Sequence, residues 1–177
     1  MKKKVLSIVA VVLVLCCAIG GTLAWLTDKT ASVTNTFTVG DINIELTETT
    51  TNYKMVPGNT ISKDPKVTVK ANSEACWLFV KVEKSSNFDS FMTYAMADGW
   101  TALPGVTGVY YREVAATTAA TDFSVLKDNS VSVMNTVTKA DLNALTQSTF
   151  PTLTFTAYAV QKDNVATATD AWAKANA

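Results

Sequence analysis

Ala75-Cys76-Trp77-Leu78-Phe79-Val80-Lys81-Val82-Glu83-Lys84 is the stretch that decides the fold. It reads as a β-strand, whose successive side chains point to opposite faces. Cys76, Leu78, Val80 and Val82 share one face, and Trp77 and Phe79 share the other. Apolar residues on both faces mark a central strand covered on each side. A loop or helix is the plain cover for Trp77 and Phe79; a partner strand or subunit is the alternative.

Toward the N-terminus, Val67, Val69 and Ala71 form the next inward set, and Pro57-Gly58-Asn59 is a turn signal. Ile42, Ile44 and Leu46 alternate in a further strand. Phe37 and Val39 have the opposite parity, so a bulge at Gly40-Asp41 would return both sets to one core face. Toward the C-terminus, residues 88–100 carry Phe88, Phe91, Met92, Tyr94, Met96 and Trp100. The spacing of Phe88, Phe91 and Met92 fits one helical turn, so a short helix or irregular cap is expected there. Pro104-Gly105 makes a turn, and residues 106–114 read as a strand containing Tyr110-Tyr111-Arg112. Residues 115–121 are small and read as a loop. Two strands are expected over 123–138, split by Lys127-Asp128-Asn129, with Val131, Val133 and Val137 of one parity. Thr138 and Asp141 sit at capping spacing ahead of Leu142 and Leu145. Pro151 opens a last strand with Leu153, Phe155, Ala157 and Ala159 inward. In the Ala-rich end, Trp172 anchors a terminal helix or a return segment. Seven to nine short strands with two or three small helices make an all-β chain, an antiparallel β-sandwich. The pattern alone does not separate a jelly roll from an immunoglobulin-like topology.

Ahead of the strands stands a different kind of sequence. Lys2, Lys3 and Lys4 are followed by an apolar run over residues 5–19, interrupted only by Ser7, and then by Gly20-Gly21-Thr22-Leu23-Ala24. This is the layout of a secretory signal peptide over residues 1–24, cut between Ala24 and Trp25. Residues 5–26 are also long enough to cross a hydrocarbon core of about 30 Å, so an uncleaved anchor is the alternative. A lipid-modified Cys16 would need a small residue before it, and Leu15 stands there. Cys16 and Cys17 read as apolar members of the run.

Removing 24 of 177 residues leaves 153, enough for one domain with a real core. The three lysines leave with the signal, so 12 basic residues face 15 acidic ones, a net charge of about −3. No basic run remains, which argues against nucleic acid as a partner. The chain has no histidine. His-based triads, His general bases and HExxH zinc sites are therefore excluded. No G-x-S-x-G and no Gly-rich phosphate loop occurs, and no cofactor motif is present. Asp41, Glu45 and Glu48 lie close in sequence; a solvated outer face is the plain reading and a cation site the sharper one. Asp128-Asn129 and Asp163-Asn164 read as turns. Cys76 is the one cysteine beyond the signal, expected as a buried thiol, with an intermolecular disulfide as the alternative.

Gly21-Thr22-Leu23-Ala24-Trp25-Leu26-Thr27-Asp28, then Ser32, Asn35, Phe37, Gly40 and Asp41-Ile42-Asn43-Ile44-Glu45-Leu46, resembles the start of the TasA/camelysin family of Gram-positive bacteria. The likeness continues more loosely through residues 57–63 and 67–69, and returns in Ala157-Tyr158-Ala159-Val160-Gln161 and Ala171-Trp172. Residues 87–147 carry no such likeness. The resemblance implies processing by a SipW-type signal peptidase and a jelly-roll domain over residues 37–177. It implies a secreted subunit of extracellular biofilm-matrix fibres, touching membrane only through its signal segment, and the missing histidines make that subunit non-catalytic as an expectation. Residues 25–36, with Trp25, Leu26 and Val33 as apolar positions, would then add as a donor strand to the next copy, so the partners are further fibre subunits. As a bare sequence, the same segment reads as a frayed tail. Two other functions stay open. One is a camelysin-like surface metalloprotease, which the missing histidines oppose because zinc favours N and S ligands. The other is a monomeric module held by an uncleaved N-terminal helix.

Overall fold

The computed structural model describes residues 41–175. The signal segment, the Ala24–Trp25 cut, the segment 25–36 with Trp25, Leu26 and Val33, and the parity switch after Phe37 and Val39 lie outside the described residues. Ten strands and three helices occur among the described residues. The strands are β1 (Ile44–Thr47), β2 (Thr60–Ser62), β3 (Lys66–Val69), β4 (Cys76–Lys84), β5 (Met92–Met96), β6 (Thr101–Ala102), β7 (Val109–Val114), β8 (Thr121–Ser124), β9 (Leu126–Val133) and β10 (Leu153–Gln161). The helices are α1 (Phe88–Phe91), α2 (Lys139–Asn143) and α3 (Ala168–Ala175). Every strand pairing is antiparallel.

Three sheets form, in the orders β1-β3-β8, β2-β9-β5 and β10-β4-β7-β6. The count exceeds the expected seven to nine because two long strands are each broken in two. Pro65 has no N–H for the ladder, so the strand over 60–69 must break near it. The ribbon still continues across the break: Lys63 N–H donates to Asn129 O at 2.8 Å and Val125 N–H to Pro65 O at 2.9 Å. With each broken strand read as one, a layer β1, β2/β3, β8/β9, β5 faces a layer β10, β4, β7, β6. After β3 the chain crosses between layers at every connection except the β6–β7 hairpin. This wrapping is the jelly-roll form of the sandwich.

The alternation of β4 organises the packing. Cys76, Leu78, Val80 and Val82 enter the space between the layers and meet Val67, Val69 and Val125. Trp77 and Phe79 point to the other side, where α3 and its approach cover them. The Trp77 indole N–H donates to Val165 O at 3.0 Å. The Trp172 ring lies 5.3 Å from that of Phe79 and 5.1 Å from that of Tyr158. The cover is therefore helical, as the plain reading of Trp77 and Phe79 required. A third cluster, Phe88, Met92, Leu126, Val131, Val133 and Val137, fills the end of the sandwich under β2-β9-β5.

Several expectations hold locally and some do not. Gly58 takes φ +73 in the turn after Val56. Thr138 caps α2 in a reciprocal capping box with Asp141, the shorter acid still reaching the cap N–H at 2.8 Å. Leu142 and Leu145 are half-buried. Ala71, by contrast, is exposed, because β3 ends at Val69 and the chain turns at Asn72 with φ +62. Only Phe88–Phe91 are helical; Met92–Met96 leave the helix as strand β5 against β9. The strand expected from 106 starts at Val109, after Gly108 at φ +76. A side chain there would bring its Cβ within 2.6 Å of Val82 O. The chain breaks at Val125, and Asp128 and Asn129, both with positive φ, form a jog inside β9.

Candidate assembly edge

β10 is the longest strand with a single neighbour. Its nine residues pair with β4 from Leu153↔Lys84 to Gln161↔Cys76. Among the described residues no second strand joins its outer edge. β1 stands on the same side of the sandwich, at the edge of the facing layer. Leu153, Phe155, Ala157 and Ala159 of β10 look across at Ile42, Ile44 and Leu46, and all seven are half-buried. The buried core residues farther in, Val67, Leu78 and Val80, are 0 % exposed. Among the described residues the sandwich is thus open along one seam, with apolar side chains on both walls and no strand paired to the outer edge of β10.

The seam widens at the start of β10 into a groove of about 820 Å³. Met55, Ile61, Phe88, Met92, Phe150 and Leu153 line it. Two large apolar residues are exposed among the described ones, Val56 and Phe150, each at 48 %. Phe150 belongs to the wall of this groove. Exposed apolar surface gathered at one place marks an interaction site more than scattered residues do.

One wall of the groove is held by a buried cation. Lys63 is 7 % exposed, and its Nζ lies 2.6 Å from Glu48 Oε1. The Tyr53 hydroxyl donates to the same oxygen at 2.5 Å. The ammonium also sits 5.0 Å from the Tyr53 ring centroid and 5.4 Å from that of Phe155. Burial, and then the Glu48 carboxylate, hold the Tyr53 phenol above its ordinary range. Charge pairing thereby fastens the segment after β1 across the end of β10.

The carboxylates singled out in the sequence do not converge. Asp41 accepts from Ile42 N–H and from the Asn43 amide, each at 2.8 Å. Glu45 pairs with Lys70 on the outer face at 3.1 Å. Glu48 turns inward to Lys63. Asp128, Asn129 and Asn164 take left-handed turn conformations. Cys76 is a free thiol, fully buried, and burial pushes its pKa up to about 11.

With this geometry in place, one comparison bears on kind. Residues 1–82 match the camelysin metallo-endopeptidase family. The resemblance read from the N-terminal motif is thereby shown, and the match reaches past it into β4, ending at Val82. No curated protein and no solved structure matches the chain. The camelysin description implies a metal, and the donors of this chain do not fit one. There is no histidine. The Cys76 thiol is enclosed by apolar side chains. No three His, Cys, Asp or Glu side chains gather among the described residues. The match with the camelysin family therefore stands as a likeness over residues 1–82, and no catalytic step is derived through a metal.

Neither β10's edge status nor the groove was visible in the sequence. The alternation of Leu153 to Ala159 gave the inward face, but an edge is a property of topology. The one local signal was Phe150 beside Pro151, a large apolar residue placed outside the strand alternation.

Proposed function

We propose that this protein is a secreted, non-catalytic structural subunit that polymerises into extracellular fibres by strand addition. The observation that supports this most is the open seam between β1 and β10. An unpaired edge offers backbone donors and acceptors in a row, and an added strand satisfies them while its alternate side chains fill the cleft. Residues 25–36 are the proposed strand, with Trp25, Leu26 and Val33 as its apolar contacts. A strand given by one copy to the next is a heterologous contact that does not close, so it builds filaments. The resemblance to TasA-type sequences agrees with this reading, as does the want of N and S metal donors, which speaks against a camelysin-like peptidase.

The test is deletion of residues 25–36. The truncated chain is expected to remain a folded monomer and to form no filaments by negative-stain microscopy, whereas the chain starting at Trp25 forms them. Filaments from the truncation would defeat strand donation. Proteolysis abolished by a chelator, and retained after the deletion, would instead restore the peptidase reading.

A further inference from the structure

We propose that Arg112 is a receptor for a carboxylate, on the side of the sandwich opposite the β1–β10 seam. Arg112 is the only arginine of the chain. It pairs in register with Leu78, so its side chain enters the space between the layers, where the alternation calls for an apolar residue. The guanidinium carbon lies 4.1 Å from the Phe123 ring centroid and 5.4 Å from that of Trp100. Both rings are fixed. Phe123 belongs to β8, and the Trp100 indole N–H donates to Ser124 O at 2.8 Å. Gly99, at φ +87, is also shaped to this group, because a Cβ there would stand 2.9 Å from Arg112 Nη2.

What the site lacks is an acceptor. The Nε–H is buried without a hydrogen-bond partner, the one such side-chain atom found among the described residues. No carboxylate of the described residues pairs with the guanidinium, although six lysines are paired. Neighbouring Glu113 is taken by Lys162, and Asp98, next to Gly99, makes no ion pair among the described residues. A buried charged donor left unmet is costly, and such a group in a native structure calls for a ligand or water. Rings lie against the guanidinium faces, and Arg112 as a whole is only half-buried, so part of its side chain still meets solvent. A planar, bidentate acceptor matches the edge of a guanidinium, and the carboxylate is the common one outside nucleic acids. The outer edge of β8, which pairs only with β3 among the described residues, would let an extended chain carry an acidic side chain to it. The source is either an Asp or Glu side chain of a second copy of this chain or a free carboxylic acid. This site does not depend on the strand-donation reading.

The only arginine gives a single Nε–Hε signal in the spectrum of the ¹⁵N-labelled purified full chain. Titration with sodium acetate is expected to move that signal saturably, while sodium chloride at equal ionic strength does not. A shift on raising the protein concentration alone would assign the carboxylate to a second copy; a shift with acetate only would assign it to a free acid. Arg112→Lys keeps the charge and loses the fork. It should weaken the acetate response about tenfold, read on the Trp100 indole N–H. A signal unmoved by acetate and by protein concentration would overturn the proposal, as would one that responds to phosphate but not acetate. Should Arg112→Lys not fold, the titration of the unaltered chain decides alone.

Discussion

Cys76 shows how one residue reports the core. Its thiol is fully buried among Leu78, Val114 and their neighbours, in apolar surroundings that disfavour the thiolate. The folded chain therefore holds the proton to about pH 11, while the unfolded chain releases it near its ordinary value of 9.0. Above that ordinary value the unfolded state gains by ionising and the folded state does not. Stability is full below about pH 9 and falls as pH rises toward about 11, by about 3 kcal/mol at most. Urea unfolding at pH 8 and at pH 10.5, compared with Cys76→Ala, isolates the effect. The alanine variant should lose less between the two pH values. Equal losses would place the thiol in contact with water. The native thiol should also resist alkylation until the chain unfolds, which is why an intermolecular disulfide at this position does not fit the fold.

At the level of elements, α3 turns a two-layer sandwich into one with a covered outer face. Trp172 is 7 % exposed and packs on Phe79 and Tyr158. Trp172→Ala should cost about 3–5 kcal/mol in denaturant unfolding and bare the face of Trp77 and Phe79, with dye binding rising accordingly. A loss under about 1 kcal/mol would mean that the helix merely rests on the sheet. β4 and β10 were legible in the sequence because each is long enough for its two-residue period to repeat; in the Ala-rich end Trp172 marked an anchor but left a helix and a return segment both open. β5 was not legible, because Phe88, Phe91 and Met92 satisfy a helical spacing for one turn and the strand that follows is five residues long. The broken ribbons were half legible. The sequence marks an interruption at Lys127-Asp128-Asn129, which falls as a jog inside β9 while the break itself lies at Val125; no expectation covers the break at Pro65. Arg112 reads in the sequence only as part of a strand. Its being the only arginine, on the parity of inward residues, was the signal present.

For the molecule as a whole, the proposed strand addition at the seam would link stability to assembly. If residues 25–36 of a second copy fill the seam, each subunit without a donor is short of one strand. A ligand that binds only the folded state then stabilises it by mass action. A synthetic peptide of residues 25–36 should therefore bind the truncated chain one to one. At a concentration a hundred times its dissociation constant it should stabilise that chain by about 3 kcal/mol. For a domain of this size that corresponds to a rise in Tm of about 6–12 °C. Because the groove beside Phe150 offers apolar walls to large side chains, the order of the apolar residues in the peptide matters more than its composition. A scrambled peptide of the same residues should give little or no rise. An equal rise with the scrambled peptide would reduce the seam to a patch of non-specific apolar surface, and no rise with either would mean that β10 is completed by something other than this segment. Peptide-saturated chains should also be unable to accept a donor, so the peptide, added in excess to full-length subunits before assembly, should shorten filaments in proportion to its occupancy.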